Sequence, residues 1–132
     1  MGFANIQDVR DLVGLPDKVA LPDSKIEFQL ASGKRKVERE IGDYSTLTGT
    51  DRAQAKEAEI CYTAYYGLTT WNTFFTSNIP GMQKELGELD FQLLSPEQLK
   101  EVRSIWLDRG DDSINILKQE NSDTPILDMR AI

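Results

Sequence analysis

Histidine is absent from this chain, and cysteine occurs once, at Cys61. Without histidine, the Ser-His-Asp and Cys-His catalytic constellations are excluded, and the commonest general base and metal ligand is missing. A single cysteine excludes an intramolecular disulfide and any multi-cysteine metal cluster; on its apolar stripe it reads as a buried small apolar residue. No GxxxxGK[ST] or GxGxxG sequence provides a phosphate cradle. No run of about 18 apolar residues is present to cross a membrane. The opening Met1 to Ile6 has no basic region followed by an apolar core, and Ile6 stands where a myristoylation signal needs Ser or Thr. Positive charge is also short, with 15 Lys and Arg against 22 Asp and Glu and a formal net charge of -7. Such a chain has little affinity for a phosphate backbone, which requires clustered cations.

Carboxylates are plentiful. Glu85, Glu88 and Asp90 form one cluster and Asp108, Asp111 and Asp112 another, but neither has the ligand spacing or glycine of a calcium loop, so both read as solvated acidic loops. The sequence therefore assigns no catalytic, cofactor-binding or metal-binding residue. It predicts a soluble, cytoplasmic, non-enzymatic protein with no membrane partner.

The 132 residues suffice for one domain with a single core. The dominant stretch runs from Thr50 to about Thr76 and holds six of the eleven aromatic residues. Thr50 is a suitable N-cap, and Asp51 places negative charge at the positive end of the helix dipole. Ala58, Cys61, Tyr65, Leu68, Trp71 or Asn72, and Phe75 recur at three- and four-residue steps, which predicts a helix of roughly 40 Å. In its first third, Asp51, Arg52, Gln54, Lys56, Glu57 and Glu59 read as solvated. From Ile60 onward, apolar groups appear nearly all round, so enclosure on several sides is expected. Tyr62, Tyr66 and Phe74 lie off the main stripe, to be covered either by other parts of the chain or by another subunit, and are candidate subunit contacts.

Around this spine, Asn5 and Asp8 cap a short helix whose stripe of Ile6, Val9 and Val13 stops at Gly14. Pro22-Asp23-Ser24 opens a second helix with Pro in its first turn, and Ile26, Leu30, Val37 and Ile41 share one face. Gly33 or Lys34 fills the missing step. Gly33 costs about 1 kcal/mol relative to Ala in a helix interior, so it marks either a close helix crossing or a break. The run from Lys34 to Glu40 interleaves acids and bases at helical spacing and reads as a solvated face. Gly42 to Ser45 ends this helix, and a polar connection leads into the central one.

Asn78-Ile79-Pro80-Gly81 stops the central helix. Residues 82–94 lack a clean period; Leu89, Phe91 and Leu93 alternate, which suits an extended or protruding loop. Ser95-Pro96-Glu97-Gln98 is a capping box with Pro at the first helical position, predicting a helix over 96–109 closed by Arg109-Gly110, with Leu99, Val102 and Trp106 (with Ile105) as its inward face. Ile114, Ile116 and Leu117 are expected in a short strand or turn, and Lys118 to Thr124 as linker. The last residues turn apolar again: Leu127, Met129 and Ala131 alternate with Asp128 and Arg130, a pattern for an extended segment that adds to a strand or groove of a neighbour, the alternative being a tail packed on its own domain. The expected fold is all-α, about four helices around one long central helix, with a connector domain over 1–110 and a tail over 111–132.

This order of elements, the segment Lys84-Glu85-Leu86-Gly87-Glu88-Leu89-Asp90-Phe91 and the terminal Asp128-Met129-Arg130-Ala131-Ile132 resemble the head-completion or head-to-tail connector proteins of long-tailed bacteriophages and prophages. Glu88 and Leu89 stand where that family usually has an acidic-aromatic pair. The resemblance implies a dodecameric ring beneath the portal protein that completes the head, extends the DNA channel without gripping DNA, and receives a further connector or tail protein. It implies assembly in the bacterial host cytoplasm and a place at the virion head-tail interface. On this reading Tyr62, Tyr66, Phe74, Leu89, Phe91, Leu127, Met129, Arg130 and Ile132 are subunit or partner contacts. A small acidic helical regulator or inhibitor, antitoxin-like and acting by protein binding, shares the charge and length.

Overall fold

In the computed structural model, residues 2–15, 21–77 and 95–120 are described. Local sequence sets the first helix, α1, Ile6–Val13. Asn5 accepts from the Asp8 amide while the Asp8 carboxylate accepts from Asn5, and Gly14 closes the far end in the left-handed conformation. Eight residues are too few to hold a helix in water. Docking supplies the rest, through Val9 in the core and the buried Arg10, which donates to the Leu21 carbonyl at 2.8 Å and pairs with Asp23 at 2.6 Å.

The second helix, α2, Asp23–Ile41, has Pro22 at its N-cap rather than inside the first turn. Ile26, Leu30, Gly33 and Val37 form its buried face, and the helix runs through Gly33 without a break. That glycine marks a close crossing. A Cβ there would lie 2.5 Å from the Thr63 hydroxyl and 2.7 Å from the Glu59 carbonyl on the next helix. The mixed charges of residues 34–40 line the outer side, with Lys36 and Glu40 paired one turn apart.

The central helix, α3, Gly49–Ser77, begins one residue before the expected Thr50 and spans 29 residues, about 43 Å at helical rise. The seven consecutive residues from Ala58 to Ala64 are all buried. Since seven residues cover the whole circumference of a helix, α3 is enclosed on every side there. Enclosure thus begins before Ile60, and Glu59, expected in the solvated third, is fully buried. Trp71 is buried with its indole N–H on the Lys25 carbonyl at 2.9 Å, tying α3 to the start of α2.

The last described helix, α4, Pro96–Glu120, carries the expected capping box between Ser95 and Gln98. It does not stop at Arg109-Gly110. Gly110 is a buried interior position where a Cβ would come within 2.8 Å of the Tyr62 ring, so the glycine admits a neighbour instead of capping. The helix continues to Glu120, and Ser113, Ile114 and Leu117 are core residues in helical, not extended, backbone.

All regular structure among the described residues is helical, in the order α1, α2, α3, α4. α3 packs along both α2 and α4, and those two scarcely touch. Two buried clusters result. One joins Val9, Leu21, Ile26, Leu30, Leu68 and Trp71; the other joins Val37, Tyr44, Ala58, Tyr62, Ile114 and Leu117. Among the described residues no helix is long and apolar enough to cross a membrane.

Candidate functional site

The most concentrated polar chemistry lies around Glu59. Its position on α3 is apolar by surroundings, between Ala58 and Ile60 and one turn from Ala55 and Thr63, all buried. A carboxylate carried into such a place must be met by donors or it destabilises the fold. Glu59 receives the Phe3 amide at 2.9 and 3.1 Å, the Ala4 amide at 2.7 Å and the Tyr44 hydroxyl at 2.5 Å. The Lys34 stem and the Glu59 carboxylate both flank Gly2. One side chain therefore fastens three separated parts of the chain: the N-terminal residues, the α2–α3 connection and the central helix. Burial first, and then the bond to Glu59, raises the Tyr44 hydroxyl well above its ordinary value, so it remains a donor. The arrangement holds structure.

A second polar pair joins α3 to α4. Tyr62 is fully buried and donates to Asp111 at 2.6 Å. Burial and the bond to that carboxylate both raise its hydroxyl above the ordinary value. The ammonium of Lys36 sits 5.0 Å from the Tyr62 ring centre. Tyr62, expected at a subunit contact, is thus a core residue of the protomer, and Asp111, expected in an acidic loop, is its helical partner. Cys61 is buried as expected, and burial pushes its thiol up to about 12.

The other expected contact residues divide by position. Tyr66 is half-buried against the second cluster and meets Tyr65 edge-on at 5.3 Å. Phe74 is half-buried against the first, with the Lys25 ammonium 5.3 Å from its ring centre. Leu89, Phe91, Leu127, Met129, Arg130 and Ile132 lie outside the described residues. Four large apolar side chains are exposed: Phe28 (69%), Ile105 (60%), Ile116 (40%) and Leu12 (37%). Ile105, expected on the inward face of the last helix, faces outward instead, because Gly110, Ile114 and Leu117 set the buried side of α4. The signal for Phe28 was present, since it lies opposite the Ile26 and Leu30 stripe.

The surface carries open clefts. One of about 480 Å³ is lined by Ile41, Tyr44, Leu47 and Leu117 and rimmed by Glu40, Asp43 and Lys118, with Lys118 bonded to Glu40 across the rim at 3.2 Å. Another, of about 370 Å³, lies between α1 and α3 beside Leu12 and Ile60, with Asp8 and Lys56 paired at its edge. Among the described residues, no group of three or more His, Cys, Asp or Glu is placed to hold a metal ion. No protein-family model matches the chain, and neither does any curated protein or solved structure.

Proposed function

We propose that this chain is a structural connector of a bacteriophage or prophage particle. It assembles as a ring beneath the portal, completes the head and joins it to the tail while extending the DNA channel. The observation that carries the reading is the order of the helices. A short capped helix, a second helix, a central helix of 29 residues and a last capped helix follow one another along the chain. The exposed Phe28 and Ile105 side chains are in keeping with surfaces that other subunits cover. A net charge of -7 suits a channel through which DNA slides without adhering.

On this proposal Tyr66 and Phe74, together with Leu89, Phe91, Leu127, Met129, Arg130 and Ile132, contribute to subunit or portal contacts, and Tyr62 supports them from inside. Copurification with the cognate portal protein tests it, using the full chain and a variant lacking residues 125–132. The full chain is expected to be retained and the shortened one lost. Failure of the full chain to bind the portal refutes the connector reading. A monomeric acidic regulator is the competing function, favoured by the exposed carboxylates of α4; it requires neither self-association nor the terminal residues.

A further inference from the structure

Two outward helix faces of this chain are complementary to each other. On α4, Glu97, Glu101, Ile105, Asp108, Asp112 and Ile116 recur at four- and three-residue steps, and all are exposed. At about 100° per residue they occupy roughly 100° of the helix circumference, turned away from the buried Gly110, Ile114 and Leu117. This is an acidic stripe with Ile105, 60% exposed, at its middle and Ile116 at its end. On α2, the exposed Phe28, Ala31, Arg35 and Arg39 share a similar arc, turned away from Ile26, Leu30 and Val37. This face is basic with an aromatic group, Phe28, 69% exposed. Glu27 and Glu38 lie to one side of it, off the arc.

The ion pairs between described residues use none of the two arginines or the four carboxylates. Within one protomer the two faces do not meet, because both helices turn their opposite sides to α3.

We propose that the Phe28 face of α2 docks on the Ile105 face of α4 in a second copy of this chain. Pairing either face with its own copy sets arginine against arginine, or carboxylate against carboxylate, which disfavours a two-fold dimer. A contact between unlike faces leaves one of each free on every dimer. It therefore propagates, and it ends as a ring when the rotation between copies closes. The inference deepens the connector reading by naming the surfaces through which copies join, and it rests on that reading for its biological setting.

The test is disulfide trapping between Phe28→Cys and Ile105→Cys variants of the full chain, with the buried Cys61 left in place. Each variant is oxidised alone and in an equal mixture, and the doubly substituted chain is oxidised by itself. Mixed dimers are expected to dominate the mixture, and the double variant is expected to give a ladder of larger oligomers. The proposal is overturned if the single variants form homodimers as readily as the mixture forms mixed dimers. It is equally overturned if Ile105→Cys pairs no better with Phe28→Cys than with the exposed control Thr69→Cys.

Charge reversal supplies a second reading. Arg35→Glu with Arg39→Glu is expected to slow mixed trapping by about tenfold or more, and Asp108→Arg with Asp112→Arg in the partner to restore it. Trapping indifferent to these changes also overturns the contact. Circular dichroism on every variant separates loss of contact from loss of fold. Mixed trapping without portal binding leaves this contact standing and removes the connector function. Portal binding without mixed trapping does the reverse.

Discussion

Replacing Glu59 by alanine removes the shared acceptor of the Phe3 and Ala4 amides and the Tyr44 hydroxyl. Hydrogen bonds to a charged group contribute about 1.5–3 kcal/mol each, so three donors represent roughly 4.5–9 kcal/mol before offsets. Two offsets reduce this. The variant no longer buries a carboxylate, which costs several kcal/mol, and residues 2–4 can turn outward so that their amides rehydrate. A net loss of about 2–4 kcal/mol remains, equivalent to a fall in Tm of roughly 10 °C for a domain of this size. Urea unfolding followed by circular dichroism measures it.

The sharper measurement is a double-mutant cycle with Tyr44→Phe. In the native background that change is expected to cost about 1–2 kcal/mol, and in the Glu59→Ala background close to nothing, because its partner is already gone. Amide exchange at Phe3 and Ala4 is expected to accelerate in Glu59→Ala alone. If Glu59→Ala costs less than about 0.5 kcal/mol, or if Tyr44→Phe costs the same in both backgrounds, the claim that Glu59 fastens the N-terminal residues to the central helix is wrong.

Gly33→Ala gains helix propensity of about 1 kcal/mol but drives a methyl against the α3 backbone at Glu59 and Thr63, so a net loss of about 1–3 kcal/mol is expected by denaturant unfolding. Stability is also expected to fall in alkali. The Tyr44 and Tyr62 hydroxyls and the Cys61 thiol all have folded values raised by burial above their ordinary 10.0, 10.0 and 9.0. Their contribution is therefore complete below about pH 9 and declines as pH rises, from about 9 for the thiol and about 10 for the phenols, with a slope of at most about 1.4 kcal/mol per pH unit for each group. Tyr44→Phe and Tyr62→Phe should flatten the decline above about pH 10, and an unchanged slope counts against buried phenols. At neutral pH Cys61 should react with a thiol reagent only as fast as the chain opens, so rapid labelling of the folded protein contradicts its burial.

Local chemistry alone determined much of this fold. Asn5 with Asp8, and Ser95 with Gln98, satisfy orphan amides within a few residues of chain, so those helix starts are readable without knowing what surrounds them. The stripes of Ile26, Leu30 and Val37, and of Leu68 and Trp71, were likewise visible because their three- and four-residue spacing is a property of the helix itself. Tertiary structure decided the rest. Gly110 has the look of a helix stop, and only the approach of the Tyr62 ring makes a missing side chain useful in mid-helix. Glu59 resembles its solvated neighbours Lys56 and Glu57 until residues 2–4 and Tyr44, distant in sequence, converge on its carboxylate. Spacing along the chain determines which residues share a face. The packing of several segments around that face determines whether a charge on it meets water or donors from elsewhere in the molecule.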